Sequence, residues 1–222
     1  MKSKNTFKNL KNHQIWDSEN IFYTKSDISR LSGLIYHYEV YKKILNIPGE
    51  VMEFGVFKGI SLIKFLTFRE ILENSRSRKI YGFDVFGKYP RSNLSTDKKF
   101  IKAWEHEAGD GINKDELEDI LVKKKFSNFE LVKGNVLNTL PRFLKKKKEL
   151  KISLLHLDMD IYEPTKFVLN LLFDRVVKGG IILIDDYPTE YGAVKAIDEF
   201  IKKNKEIKIN KLGFSYKPSY KI

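Results

Sequence analysis

From residue 50 onward the chain alternates short, almost unbroken apolar runs with longer stretches of helical periodicity. The runs are EVMEFG (50–55), KIYGFD (79–84), FELVKG (129–134), ISLLHLD (152–158) and IILIDD (181–186). Each is too short for a buried helix and too continuously apolar for a strand with one wet face, so each reads as a parallel strand covered on both sides. Between them, residues 59–74, 114–125, 138–148, 163–177 and 190–204 repeat apolar side chains at helical spacing. Pro164 stands in a first helical turn, where its missing N–H is harmless, and KGG (178–180) reads as the stop of that helix. The alternation predicts an α/β fold with a mostly parallel sheet and helices on both faces. Two strand-like pieces, EIKIN (206–210) and GFSYKP (213–218), predict a C-terminal hairpin.

The first 47 residues differ. Residues 1–24 are polar and irregular, and a helix is predicted from Ser26, with Ile28, Leu31, Leu34, Ile35, Tyr38, Tyr41 and Ile44 on one stripe and IPGE (47–50) ending it. This gives an N-terminal helical extension, 1–47, before a catalytic domain, 48–222. The stripe needs a surface to cover it, either the domain or a second subunit, and a homo-oligomer is expected. Residues 85–113, with Trp104 and His106, form a long segment of the kind that serves as a lid.

Composition excludes several classes. The 222 residues contain no cysteine, which rules out disulfides, thiolate catalysis and cysteine-bound metal and fits a cytoplasmic compartment. The N-terminus is basic without an apolar core, so it is not read as a secretory signal. No run approaches the roughly 18 apolar residues of a membrane span. The net charge is +12, but the lysines are scattered and no RNP, zinc-finger or helix-turn-helix pattern is present. No nucleic-acid partner is expected; an anionic acceptor or surface is the alternative to a plain solvated face.

In open α/β sheets ligands bind beyond the carboxyl ends of the strands. Glu53 and Gly55 close the first predicted strand, Asp84 the second and Asp158 the fourth; Asn135 follows the third, and Asp185 and Asp186 end the fifth. All therefore fall on one sheet edge. EFGVFKGIS (53–61) is a glycine-bearing strand-to-helix turn, neither G-x-G-x-x-G nor a P-loop. With Asp84 at the next strand end, where an acid can hold a ribose diol, it suggests an adenosine cofactor without a pyrophosphate. Asp158, Asp185 and Asp186 either converge on a hard cation or cap the helices that follow. His156 reads as a satisfied core histidine, and no histidine pair has metal-ligand spacing.

The ordered segments EFGVFKGIS, YGFDVFGKYP, LLHLDMDIYEPT, KGGIILIDDY and AVKAIDEF, spanning residues 48–203, together resemble the macrocin O-methyltransferase (TylF-type) family. The resemblance implies a Rossmann-like class I methyltransferase with a seven-stranded sheet and an antiparallel C-terminal strand. It implies transfer of the S-adenosylmethionine methyl group to a sugar hydroxyl with Mg²⁺ or Mn²⁺. It implies a cofactor site at Glu53, Gly55, Ser61, Asp84 and Asn135, a metal held by Asp158, Asp185 and Asp186, and Asp160 as general base. FGKYP (86–90) departs from the family's acidic-glycine turn, on the acceptor side.

Rival readings fit less well. A catechol-type acceptor offers the same vicinal oxygens. A haloacid-dehalogenase-like phosphohydrolase would match LHLDMDIYEPT, yet the 27 residues from Asp158 to Asp185 leave no room for its remaining motifs. A metal-dependent glycosyltransferase using DMD leaves the glycine turn unexplained. A non-catalytic, RNA-binding scaffold has no use for four desolvated carboxylates.

Overall fold

The computed structural model describes residues 11–205, 207, 209–215 and 217–221. In chain order its elements are α1 (Asn12–Lys25), α2 (Ile28–Lys42), β1 (Glu50–Phe54), α3 (Ile60–Leu72), β2 (Ile80–Asp84), α4 (Ser95–Ala108), α5 (Lys114–Lys123), β3 (Phe129–Lys133), α6 (Val136–Lys146), β4 (Ile152–Leu157), α7 (Tyr162–Leu172), β5 (Val176–Ile184), α8 (Tyr191–Lys203), β6 (Ile209–Lys211) and β7 (Pro218–Lys221). The sheet runs β3-β2-β1-β4-β5-β7-β6. Strands β1 to β5 are parallel, and β7 is antiparallel to both β5 and β6. Strand order reverses between β1 and β4, which opens a crevice at their carboxyl ends.

Side-chain alternation along the strands divides the core into two layers. Met52, Phe54, Phe83, Leu155 and Ile182 meet α6, α7 and α8 through Phe143, Leu169 and Phe200. Val51, Ile80, Leu154 and Leu183 face the other way and meet α2, α3 and α5 through Tyr41, Phe65 and Leu117. Glu53 and His156 share the parity of this second set, so both carry polar atoms into the layer under α2 and α3. Asp185 continues the Ile181–Leu183 face while Asp186 continues the Ile182–Ile184 face. Adjacent aspartates therefore leave β5 in opposite directions.

Several expectations are corrected. Residues 12–25 form a helix, not an irregular segment; α1 buries none of its side chains, and Trp16 is 68% exposed. With no apolar stripe pressed on a core, nothing in the pattern announces it. On α2 the buried face is Tyr36, His37, Val40 and Tyr41, whereas Ile28 (79%) and Ile35 (51%) are exposed. The expected stripe is matched in part: Tyr41 and Ile44 are buried and Leu34 and Tyr38 pack on the core, but Tyr36, His37 and Val40 also face inward. Residues 178–180 do not end a helix: β5 already begins at Val176, and Gly179, at φ +85°, lies beside a register shift against β4. The 85–113 segment contains α4, and the last strand starts at Pro218 rather than Gly213.

Candidate active site

A cleft of about 430 Å³ opens at the carboxyl ends of β1, β2, β4 and β5. Gly55 makes it possible. Its φ is +90°, and a Cβ there would lie 1.6 Å from the carbonyl oxygen of Asp158. Only glycine lets the β1 and β4 exits approach this closely. The turn after Gly55 is fixed by Asp84, whose Oδ2 accepts from the Val56 and Phe57 amides at 2.7 and 2.9 Å and whose Oδ1 accepts from Phe86 N at 2.6 Å. Asn135 caps α6 by accepting from Leu137 N at 2.9 Å. Gly55, Asp84 and Asn135 all reach the cleft wall.

Glu53 and Ser61 do not. Glu53 is fully buried behind the cleft, where it accepts the Ser61 hydroxyl. The expectation that these two touch a cofactor is not matched by the wall of the cleft; strand parity directs Glu53 into the α2–α3 layer.

The acids form two groups. Asp158, Asp160 and Asp186 offer carboxylate oxygens within 4.8 Å of one another, and Asp160 N donates to Asp186 at 2.9 Å. Burial raises all three carboxyls, those of Asp158 and Asp186 well above the ordinary range; neighbouring aspartate charges add to the effect at Asp158 and Asp186, whereas at Asp160 the bonds from Tyr89 and to Asp186 oppose it. Asp160 sits at φ +62° and accepts the Tyr89 hydroxyl. Burial, followed by the Asp160 charge, raises the Tyr89 phenol. Asp185, expected beside Asp158 and Asp186, instead faces His37 and His156 and pairs with Lys217 from the hairpin. Burial opposes its ionisation, but the two histidines and Lys217 prevail and hold its carboxyl well below the ordinary range.

His156 is not the satisfied core histidine expected. Its Nδ1 lies 3.8 Å from Glu53 and its Nε2 3.8 Å from Asp185, beyond hydrogen-bond length, and its ring is 5.4 Å from that of His37. Burial disfavours its protonation, yet Asp185 and Glu53 outweigh that and raise it to about 10. Burial lowers His37 to about 4. An unfolded histidine titrates near 6.5. His156 therefore stabilises the fold below pH 6.5, and this contribution is lost as pH rises toward 10. His37 stabilises it above pH 6.5, and this is lost as pH falls toward 4. We expect the alkaline decline of the unfolding midpoint to flatten in His156→Gln and the acid decline to flatten in His37→Gln; calorimetric scans from pH 4 to 10 check both.

Sequence reasoning missed other residues. Asp97 of α4, nearly fully buried, accepts from Ser92 Oγ at 2.9 Å and Tyr162 N at 3.1 Å, tying the 85–113 segment to the loop that carries Asp160. Trp104 stacks on Phe100 at 6.0 Å and leans on Phe57, giving the cleft an aromatic wall. The i, i+4 spacing of Phe100 and Trp104 was the available signal.

The strand order, the glycine turn and the acid-lined crevice at the switch point define a class I methyltransferase fold. Residues 2–212 match the macrocin-O-methyltransferase (TylF) family, and the chain belongs to it. It is 28% identical over 167 residues to the demethyldecarbamoylnovobiocin O-methyltransferase of Streptomyces niveus, covering 71% of this chain and 60% of that one. It is 27% identical over 178 residues to the 8-demethyl-8-(2,3-dimethoxy-α-L-rhamnosyl)-tetracenomycin-C 4′-O-methyltransferase of Streptomyces olivaceus, covering 77% and 65%. The chain thus spans under two thirds of the length of either curated relative. The apo structure of a TDP-rhamnose 3′-O-methyltransferase of calicheamicin biosynthesis superposes with a TM-score of 0.68 at 25% identity, over 98% of this chain and 88% of that one. No helix among the described residues is long and apolar enough to cross a membrane.

Proposed function

We propose that the protein is an O-methyltransferase that moves the methyl group of S-adenosylmethionine to a hydroxyl of a sugar, with Mg²⁺ or Mn²⁺ bound at the acidic floor of the cleft. The observation that carries this reading is the convergence of Asp158, Asp160 and Asp186 beside the Gly55 turn, in a chain of this family. Three crowded carboxylates with raised pKa values carry more negative charge than their surroundings offset, which is what an all-oxygen site for a hard cation requires. Asp158 and Asp186 would hold the ion, and Asp185 joins them only on release from Lys217 and the histidines. When bound, the ion would neutralise the floor and polarise an acceptor hydroxyl.

The donor brings the activated methyl group, and the chain supplies placement. Gly55, Asp84 and Asn135 are the residues we assign to its binding, with Glu53 and Ser61 bracing the β1–α3 turn from behind. Phe57, Phe100 and Trp104 exclude water and present flat faces to a ring. As the methyl passes from sulfur to the acceptor oxygen, the hydroxyl proton passes to Asp160, whose carboxylate burial makes more basic than an ordinary one. A sugar acceptor is supported by the rhamnose named for two of the similar proteins. The cysteine-free chain fits a cytoplasmic enzyme, and the uncovered apolar side chains of α1 fit a homo-oligomer.

Calorimetry with S-adenosylhomocysteine and Mn²⁺, followed by mass spectrometry of methyl transfer to rhamnose-bearing acceptors, tests the reading. We expect one cofactor and one ion per chain and a 14-Da gain on the acceptor, the mass of CH₂. Failure of the cofactor to bind would remove the proposal.

A further inference from the structure

The topology sorts the charge of this chain. In a parallel sheet, the carboxyl ends of the helices and the starts of the strands share the edge opposite the cleft. Six segments reach that edge: 42–50, 73–79, 123–128, 145–151, 173–178 and 202–205. They contain eighteen lysines and arginines against four acids, a net +14, whereas the whole chain carries +12. One edge thus holds the entire excess, and the rest of the molecule is slightly acidic. Among the described residues of these segments, Lys42, Arg78 and Lys79 are the cations in ion pairs. Helix dipoles favour cations in a last turn, which accounts for one or two per helix. It does not account for Lys145, Lys146, Lys147 and Lys148 in succession, all exposed, with Lys123, Lys124 and Lys125 exposed on the same edge.

We propose that this edge docks on an anionic lipid surface. The charges are mostly lysines, compact point charges without the planar fork that reads a phosphate or a base edge. None of the six segments carries a large exposed hydrophobic or aromatic residue, so the edge has no platform for stacking bases. The charge is spread over an edge built from six connections rather than along one groove, which suits a plane of headgroups, each nearby lysine adding to the attraction. Docking by this edge turns the cleft toward water, open to a soluble acceptor.

Co-sedimentation of the full chain with phosphatidylcholine vesicles, with and without phosphatidylglycerol, at low and high NaCl, tests the inference. Binding is expected only with phosphatidylglycerol, falling steeply with salt. The K145Q/K146Q/K147Q/K148Q variant, with an unchanged unfolding midpoint, is expected to lose about tenfold or more in partitioning. Neutralising Lys98, Lys99 and Lys102 on α4 leaves it near wild type. Equal binding to neutral vesicles, an unaffected quadruple variant, or displacement of the protein from phosphatidylglycerol by duplex nucleic acid at equal phosphate concentration overturns it.

Discussion

Asp158→Asn is expected to raise the unfolding midpoint of the cation-free protein at pH 7 while abolishing methyl transfer. Burial, then the charges of Asp185 and Asp160, push the Asp158 carboxyl well above its ordinary value of 3.8. A folded-state pKa above the unfolded one gives stability that is present below pH 3.8 and is lost as pH rises through the folded value. At neutral pH the native protein therefore bears the repulsion of the floor. Two like charges about 5 Å apart repel by about 3 kcal/mol at an effective dielectric constant near 20. Asparagine keeps the shape and removes one charge. A recovery of about 1–3 kcal/mol corresponds to roughly 2–10 °C for a chain of this size. The gain should shrink as pH falls toward 3.8, because below the unfolded value the aspartate is protonated in both states. Mn²⁺ should raise the wild-type midpoint and leave the variant nearly unmoved. A variant that melts lower without cation, or that responds to Mn²⁺ as wild type does, contradicts the assignment. The opposed signs matter, because a merely structural aspartate would not stabilise on its removal.

The same charge argument explains which parts of the site were readable in advance. Strands β1, β2, β4 and β5 were evident because burial on both faces leaves little room for polar residues, and their carboxyl ends located the cleft. The separation of Asp185 from Asp186 was also available in principle: alternate residues of a strand face opposite ways, so two consecutive aspartates leaving β5 cannot both continue one face. What obscured it was reading the pair as a unit. His37 stayed hidden for a different reason. Its neighbours, Phe65, His156 and Asp185, come from a helix and two strands distant in sequence, and a histidine buried by such partners carries no local mark. Tyr89 and Asp97 lie in the 85–113 segment, where their roles depend on the packing of α4 against the 158–162 loop. Nothing in the spacing of those residues encodes that contact. α1 marks the opposite limit: a helix none of whose side chains is buried leaves no apolar stripe to detect.

Asp160→Asn is expected to lower kcat by about 10²- to 10⁴-fold, the usual range for loss of a general base, with cofactor affinity and the Mn²⁺-induced shift of the unfolding midpoint retained. The substitution is well matched to its place. Asp160 holds φ +62°, a left-handed conformation that asparagine tolerates better than most residues. The amide oxygen can still accept the Tyr89 hydroxyl, and the backbone N–H can still donate to Asp186. Burial raises the Asp160 carboxyl, and Asp185 adds to the effect, although its bonds to Tyr89 and Asp186 pull the other way. As a base it must be ionised, so the wild-type rate should rise with pH through that raised value and level off above it. The variant should lose this ascending limb while keeping its fold. Asp160 also lies within ligand reach of Asp158 and Asp186, and the two roles separate cleanly in the measurement. Loss of rate with an intact cation response assigns the proton to Asp160. Loss of both assigns Asp160 to the ion and leaves the acceptor's proton to another group, for which Glu190, raised by burial and by the charge of Asp160 on the same cleft wall, is the next to substitute.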